Sequence, residues 1–232
     1  MIGIGWTGTH KHTTFNELCG KKMRDKIKLH YLEHIPSVPK REMILNRLGY
    51  SKINTMLDRK NEELLEYGIR EGSLLCRPRG VFCRLKIIER NTGLVKLENN
   101  IEFVSRNLSA MLEECSEIIL MGATVGREVT ERISYEINEG NASLGLIIDS
   151  VASQKADACL DWMTAFVNRM LRKEGKGITA RRYSPGYGDF DLANQRIIYD
   201  VLQLAKLDLE LTEKYILIPE KSVTAVAGIK EK

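Results

Sequence analysis

Two short stretches of the chain gather side chains that could do chemistry. The first is ARRYSPGYGDFDLANQ, residues 180–195, which sets Arg181 and Arg182 ahead of a Ser-Pro-Gly-Tyr-Gly turn. Arg182 offers a planar fork of N–H donors that matches a carboxylate or a phosphate. Pro185 and Gly186 make a tight turn in which glycine lets a ligand approach the backbone closely. Tyr187 adds a flat face and a hydroxyl. The set suits a small anionic or zwitterionic ligand, and a structural turn with an arginine salt bridge is the competing account. Asp189 reads as the N-cap of a helix running through Leu204 rather than as a catalytic acid.

The second stretch is HYLEH, residues 30–34. On a helix, His30 and His34 at i, i+4 would bind zinc with Glu33 as general base, and the pair His10 and His12 could add ligands. The surroundings oppose this reading. Pro36 follows closely, and the preceding KKMRDKIKLH is basic and would repel a dication. A zinc hydrolase using His30, Glu33 and His34 therefore stands only as a remote alternative, and no metal is assigned.

These residues must be positioned by ordinary globular elements. The chain has 232 residues, 43% hydrophobic and 28% charged, with 35 Lys and Arg against 31 Asp and Glu. A net charge of +4 is too mild for a dedicated nucleic-acid binder. There is no apolar run of the roughly 18 residues that a membrane span requires. The N-terminus lacks the pattern of a secretory signal, so the expected location is cytoplasmic. Five scattered cysteines with no C-x-x-C pair read as reduced core thiols.

Residues 1–35 form a basic N-terminal extension closed by Pro36 and Pro39. Beyond it the periodicity predicts a helix ending at Gly49, and a second from Asp58 to a stop at Gly72. A hairpin turns at Asn91, Thr92 and Gly93, and Ser105 caps a further helix. IILMGA at 118–123 is a buried strand. An amphipathic helix follows Gly126, and a long one carries Leu144, Ile148, Val151, Cys159, Met163 and Phe166. ITARRY and SVTAVAGI read as strands. Helices and strands mix without strict βαβ alternation, which gives the class α+β.

RYSPGYGD at 182–189, with Gln195 on the following helix, resembles the reactivation (activation) domain of cobalamin-dependent methionine synthase, in its stand-alone form. PEKSVTA at 219–225, ATVG at 123–126 and RLGY at 47–50 have the look and order of the same family. The resemblance covers roughly residues 38–230, within a domain placed at 36–232. It implies a twisted antiparallel sheet wrapped by helices. It also implies a subunit that binds S-adenosylmethionine and supports reductive methylation of Co(II) cobalamin on a separate methionine synthase, in the service of methionine biosynthesis. Carried over, Arg182 would grip the ligand carboxylate, the backbone of Ser184 would meet its edge, Gly186 would leave room, and Tyr187 would close the pocket. No D-x-H-x-x-G corrinoid pattern occurs in the chain, so cobalamin would arrive on a partner methyltransferase. The reductant would be a flavodoxin or ferredoxin. The alternative within the same fold is a non-catalytic ligand-binding module, or an activator of another corrinoid methyltransferase.

Overall fold

A computed structural model describes residues 27–50 and 58–232. The chain enters the sheet at β1 (His30–Leu32), crosses to α1 (Arg41–Arg47) and α2 (Arg59–Leu75), and returns as β2 (Arg79–Asn91). Then come β3 (Leu94–Leu97), β4 (Ile101–Val104), α3 (Arg106–Met111), β5 (Glu117–Thr124), α4 (Glu128–Asn138) and α5 (Ala142–Leu171). The last third supplies β6 (Lys176–Ile178), α6 (Asn194–Leu202), β7 (Glu210–Leu211), β8 (Leu217–Ile218) and β9 (Ser222–Glu231). Every pairing among the described residues is antiparallel. The main sheet runs β4-β3-β2-β5-β9-β6, with β1 on β2 and the β7–β8 ribbon apart. The fold is α+β, as its sequence pattern predicts.

IILMGA becomes the centre of the sheet because it is apolar on both faces. In β5, Ile119, Met121 and Ala123 face one layer, and Ile118 and Leu120 face the other. Helix α5 covers the first face with Ile148, Ala152, Ala156, Cys159, Met163 and Val167. The opposite face packs on Phe103, Phe190, Ile198, Leu202 and Leu204. No described helix is long and apolar enough to cross a membrane. The described cysteines are buried and unpaired, and Cys19 lies outside the described residues.

Several local expectations are corrected. Gly72 does not stop α2; the helix continues to Leu75, because Gly68 and Gly72 form its contact with α5. A Cβ on Gly68 would fall 2.6 Å from Ile147 Cγ2. IEFV, a short run of strand-forming residues with one charged side chain, pairs with β3 as β4. ITARRY is not one strand: β6 ends at Ile178, and only Tyr183 rejoins the sheet, bridged to Val226. HYLEH is not a helix. Its first three residues are β1, and the His30 ring stacks on Phe82 at 4.8 Å, so the i, i+4 geometry of a zinc helix is absent. His10 and His12 lie outside the described residues, as does most of the basic stretch. From His30 onward, the segment assigned to the N-terminal extension is built into the domain. It pairs with β2, and Ile35 is fully buried.

Candidate functional site

The site exists because one edge of β9 is only half covered. Short β6 pairs with Lys230, Glu231 and Ile229 and goes no further. Thr179 extends the cover by one residue, its N–H donating to the Gly228 carbonyl at 2.9 Å and its Oγ1 accepting from Gly228 N at 3.0 Å. Tyr183 exchanges both backbone hydrogen bonds with Val226, at 2.8 and 2.7 Å. At Thr224 the strand partner gives out, and the Ser184 hydroxyl donates to the Thr224 carbonyl at 2.7 Å instead. Pro185, buried and without an N–H, turns the chain away. The edge of residues 222–224 is left open to a cavity of about 460 Å³. Its walls are this edge, Asp157 and Leu160 of α5, Leu192 and Gln195, and the segment from Tyr215 to Glu220.

The turn that follows is held firmly. Gly186 sits at φ +91°, a region that disfavours a side chain. Its N–H donates to the Phe190 carbonyl at 2.7 Å, and Tyr187 N donates to the Ser184 carbonyl at 3.2 Å. Phe190 is fully buried edge-on against Phe103, with ring centroids 5.4 Å apart. Tyr187, by contrast, is 70% exposed on the cavity rim.

Asp189 takes a different role from the one its sequence position predicts. The next helix, α6, begins only at Asn194, and the local turn before it is held by Asp191, which accepts from Ala193 N at 2.7 Å. The Asp189 carboxylate instead reaches across to the start of α3. It accepts from Ser105 Oγ at 2.6 Å and Arg106 N at 2.7 Å, while Ser105 Oγ accepts from Leu108 N at 2.9 Å. The Ser105 hydroxyl first, then the Arg106 and Asn107 N–H groups, hold the Asp189 carboxyl below its usual range. An unpaired helix N-terminus favours an anion there, and a residue distant in sequence provides it.

Arg182 lines the cavity from the α5 side. Its Nη1 donates to Asp161 Oδ1 at 2.7 Å and to Thr164 Oγ1 at 3.4 Å. Both contacts use one nitrogen, so they do not engage the two-pronged face of the guanidinium. Asp157 stands one helical turn before Asp161, at the mouth of the cavity. Its side chain is exposed by area, yet local desolvation raises its carboxyl above the usual range, against the opposing pull of Arg182 and Arg47.

Three of the four residues expected in the site, Arg182, Ser184 and Tyr187, line one cavity; Gly186 shapes the turn behind them without lining it. The structure adds Asp157, Gln195, Tyr215, Glu220 and Thr224. Gln195 and Thr224 fall inside the stretches that carry the family resemblance. Asp157 and Tyr215 have no local sequence signal, because tertiary packing alone brings them here. The group of residues suits a small polar ligand: the volume is in the usual range for such sites, and cationic, anionic and neutral hydrogen-bonding groups converge on it.

Neither a family model nor a curated protein matches the sequence. Among solved structures, the chain is similar to the MetH reactivation domain bound to AdoHcy. The TM-score is 0.65 at 13% identity, over 87% of this chain and 78% of that one. At this identity the likeness is one of fold.

Proposed function

We propose that the cavity beside β9 binds S-adenosylmethionine and that the chain acts as a stand-alone reactivation subunit for a separate cobalamin-dependent methionine synthase. The observation that carries this reading is the cavity itself: the RYSPGYGD turn builds its wall at the open sheet edge, in a fold shared with a reactivation domain bound to AdoHcy. Arg182 turns its free donors to the ligand carboxylate in a charge-assisted fork. Asp157 and Glu220 line the same cavity and offer carboxylates to a sulfonium or ammonium. The backbone at Ser184, fixed by the hydroxyl bond to Thr224, offers an edge to the ligand, and Gly186 keeps the turn clear of it. Tyr187, projecting from the rim, closes the site toward the incoming partner.

The corrinoid, carried by the partner, would supply the cobalt, which, once reduced by one electron from a flavodoxin- or ferredoxin-type donor, would take the sulfonium methyl group and leave S-adenosylhomocysteine. This chain contributes position: it holds the methyl donor in one orientation and shields it from water. Titration calorimetry with S-adenosylmethionine tests the binding. The wild type should bind, and Arg182→Ala should bind about 10- to 100-fold more weakly, the loss of a charged hydrogen-bonding group. No heat at millimolar ligand refutes the reading. Restoring methionine synthesis to an inactive Co(II) synthase core, with and without this chain, tests the subunit role. Binding without restoration would leave a ligand-binding module of the same fold.

A further inference from the structure

Gln195 stands in the first turn of α6, on the wall of the cavity. Only 5% of it is exposed. Its Oε1 accepts from Thr224 Oγ1 at 2.9 Å, which fixes which end of the carboxamide faces the strand. Nε2 has no partner, and among the described residues it is the one buried side-chain nitrogen or oxygen left in that condition. A carboxamide nitrogen carries two donors, and drying them without an acceptor costs more than an ordinary hydrogen bond returns. Leu160 and Leu192 on the same walls show that apolar side chains are accommodated there. An amide at this position is explained by an acceptor that arrives with a ligand.

The two grips lie on opposite sides of the sheet. Arg182 is tied to α5, the layer that packs on Ala225 and Val223. Gln195 meets Thr224, which by strand alternation points with Val226 into the other layer. A ligand held by both must span the open edge, with its carboxylate at the Arg182 end. At the far end a neutral donor meets it, which suits a neutral acceptor rather than a second charge.

We propose that Gln195 is a ligand-binding residue whose Nε2 donates to a purine nitrogen or ribose oxygen of the adenosyl half. This rests on the S-adenosylmethionine reading and adds the group that recognises the nucleoside. Two variants separate the possibilities. Gln195→Glu keeps an oxygen for Thr224 and converts the donor into an acceptor; Gln195→Met keeps the length and removes both.

Calorimetry with S-adenosylhomocysteine should show each variant binding at least tenfold more weakly than wild type. On saturation, the Gln195 side-chain amide protons of labelled wild-type protein should move downfield and exchange more slowly with solvent, as a newly accepted hydrogen bond requires. 5′-Methylthioadenosine, which lacks the amino-acid half, should lose affinity in Gln195→Met by the same factor. Wild-type affinity in either variant, unmoved amide resonances, or undiminished methylthioadenosine binding each overturns the assignment of Gln195 and leaves the ligand reading standing. A wild-type chain that binds neither compound overturns both.

Discussion

Replacing Asp161 by asparagine tests how Arg182 is held before a ligand arrives. The ion pair is a single contact of 2.7 Å, and the Asp161 side chain is 71% exposed against 27% for Arg182. An exposed pair of this kind contributes about 0.2–1 kcal/mol, since solvent screens it and side-chain ordering opposes it. A ligand carboxylate must draw the guanidinium away from that contact. Asp161→Asn removes the competing charge and keeps the side-chain shape, so S-adenosylhomocysteine should bind about 1.5- to 5-fold more tightly. The gain should shrink at high ionic strength, where the wild-type pair is already weakened. Calorimetric titrations at low and high salt would measure both. Weaker binding by the variant would refute the reasoning and make Asp161 part of the ligand's own contact set. An unchanged affinity with an unchanged salt slope would show that Arg182 does not meet the carboxylate.

Two further outcomes are expected from the loop. Asp189 has a folded-state carboxyl held below its ordinary value, so its contribution to stability is present above that ordinary value and lost as pH falls through the lowered one. Asp189→Asn should therefore melt below wild type at neutral pH, and the gap should close on acidification; a gap that persists in strong acid would refute the trans-capping role. Gly188→Ala places a Cβ 2.4 Å from the Tyr183 hydroxyl and 2.8 Å from Asn107 Nδ2, at a φ of +55°. It should cost about 1–3 kcal/mol. The melting temperature should then fall by roughly 2–12 °C, and a melting curve unchanged from wild type would show that the loop is free to adjust.

The parts of the fold written in local periodicity were legible in the sequence. The apolar run of β5, the long stripe of α5 and the strand at β9 each carry their own signal, and Asp58 and Ser105 cap helices as their positions predict, through Asn61 N and Leu108 N. What was not legible depends on partners distant in sequence. Gly72 looks like a helix end until α5 is packed against it. Asp189 looks like the cap of the helix that follows, because nothing local reveals that the start of α3 lies beside it. HYLEH has helical metal spacing, but β2 offers its backbone a strand partner and Phe82 offers His30 a ring. The site was half visible. The arginine, turn and tyrosine share one segment, whereas the cavity needs α5, α6 and the approach to β9 to close around them.

The open edge of β9 also bears on solubility. An uncovered central strand end is a template for pairing with another chain, and proteins protect such edges by covering or interrupting them. Here the Ser184 hydroxyl occupies the carbonyl that an added strand would seek, and Pro185 removes the next donor from the segment alongside. The device that leaves room for a small molecule is thus the same one that denies room to a polypeptide. A change that lengthened β6 toward Thr224 would strengthen the sheet and erase the cavity in one step. A change that stripped away residues 183–185 would open the cavity further and expose a bare strand to self-association.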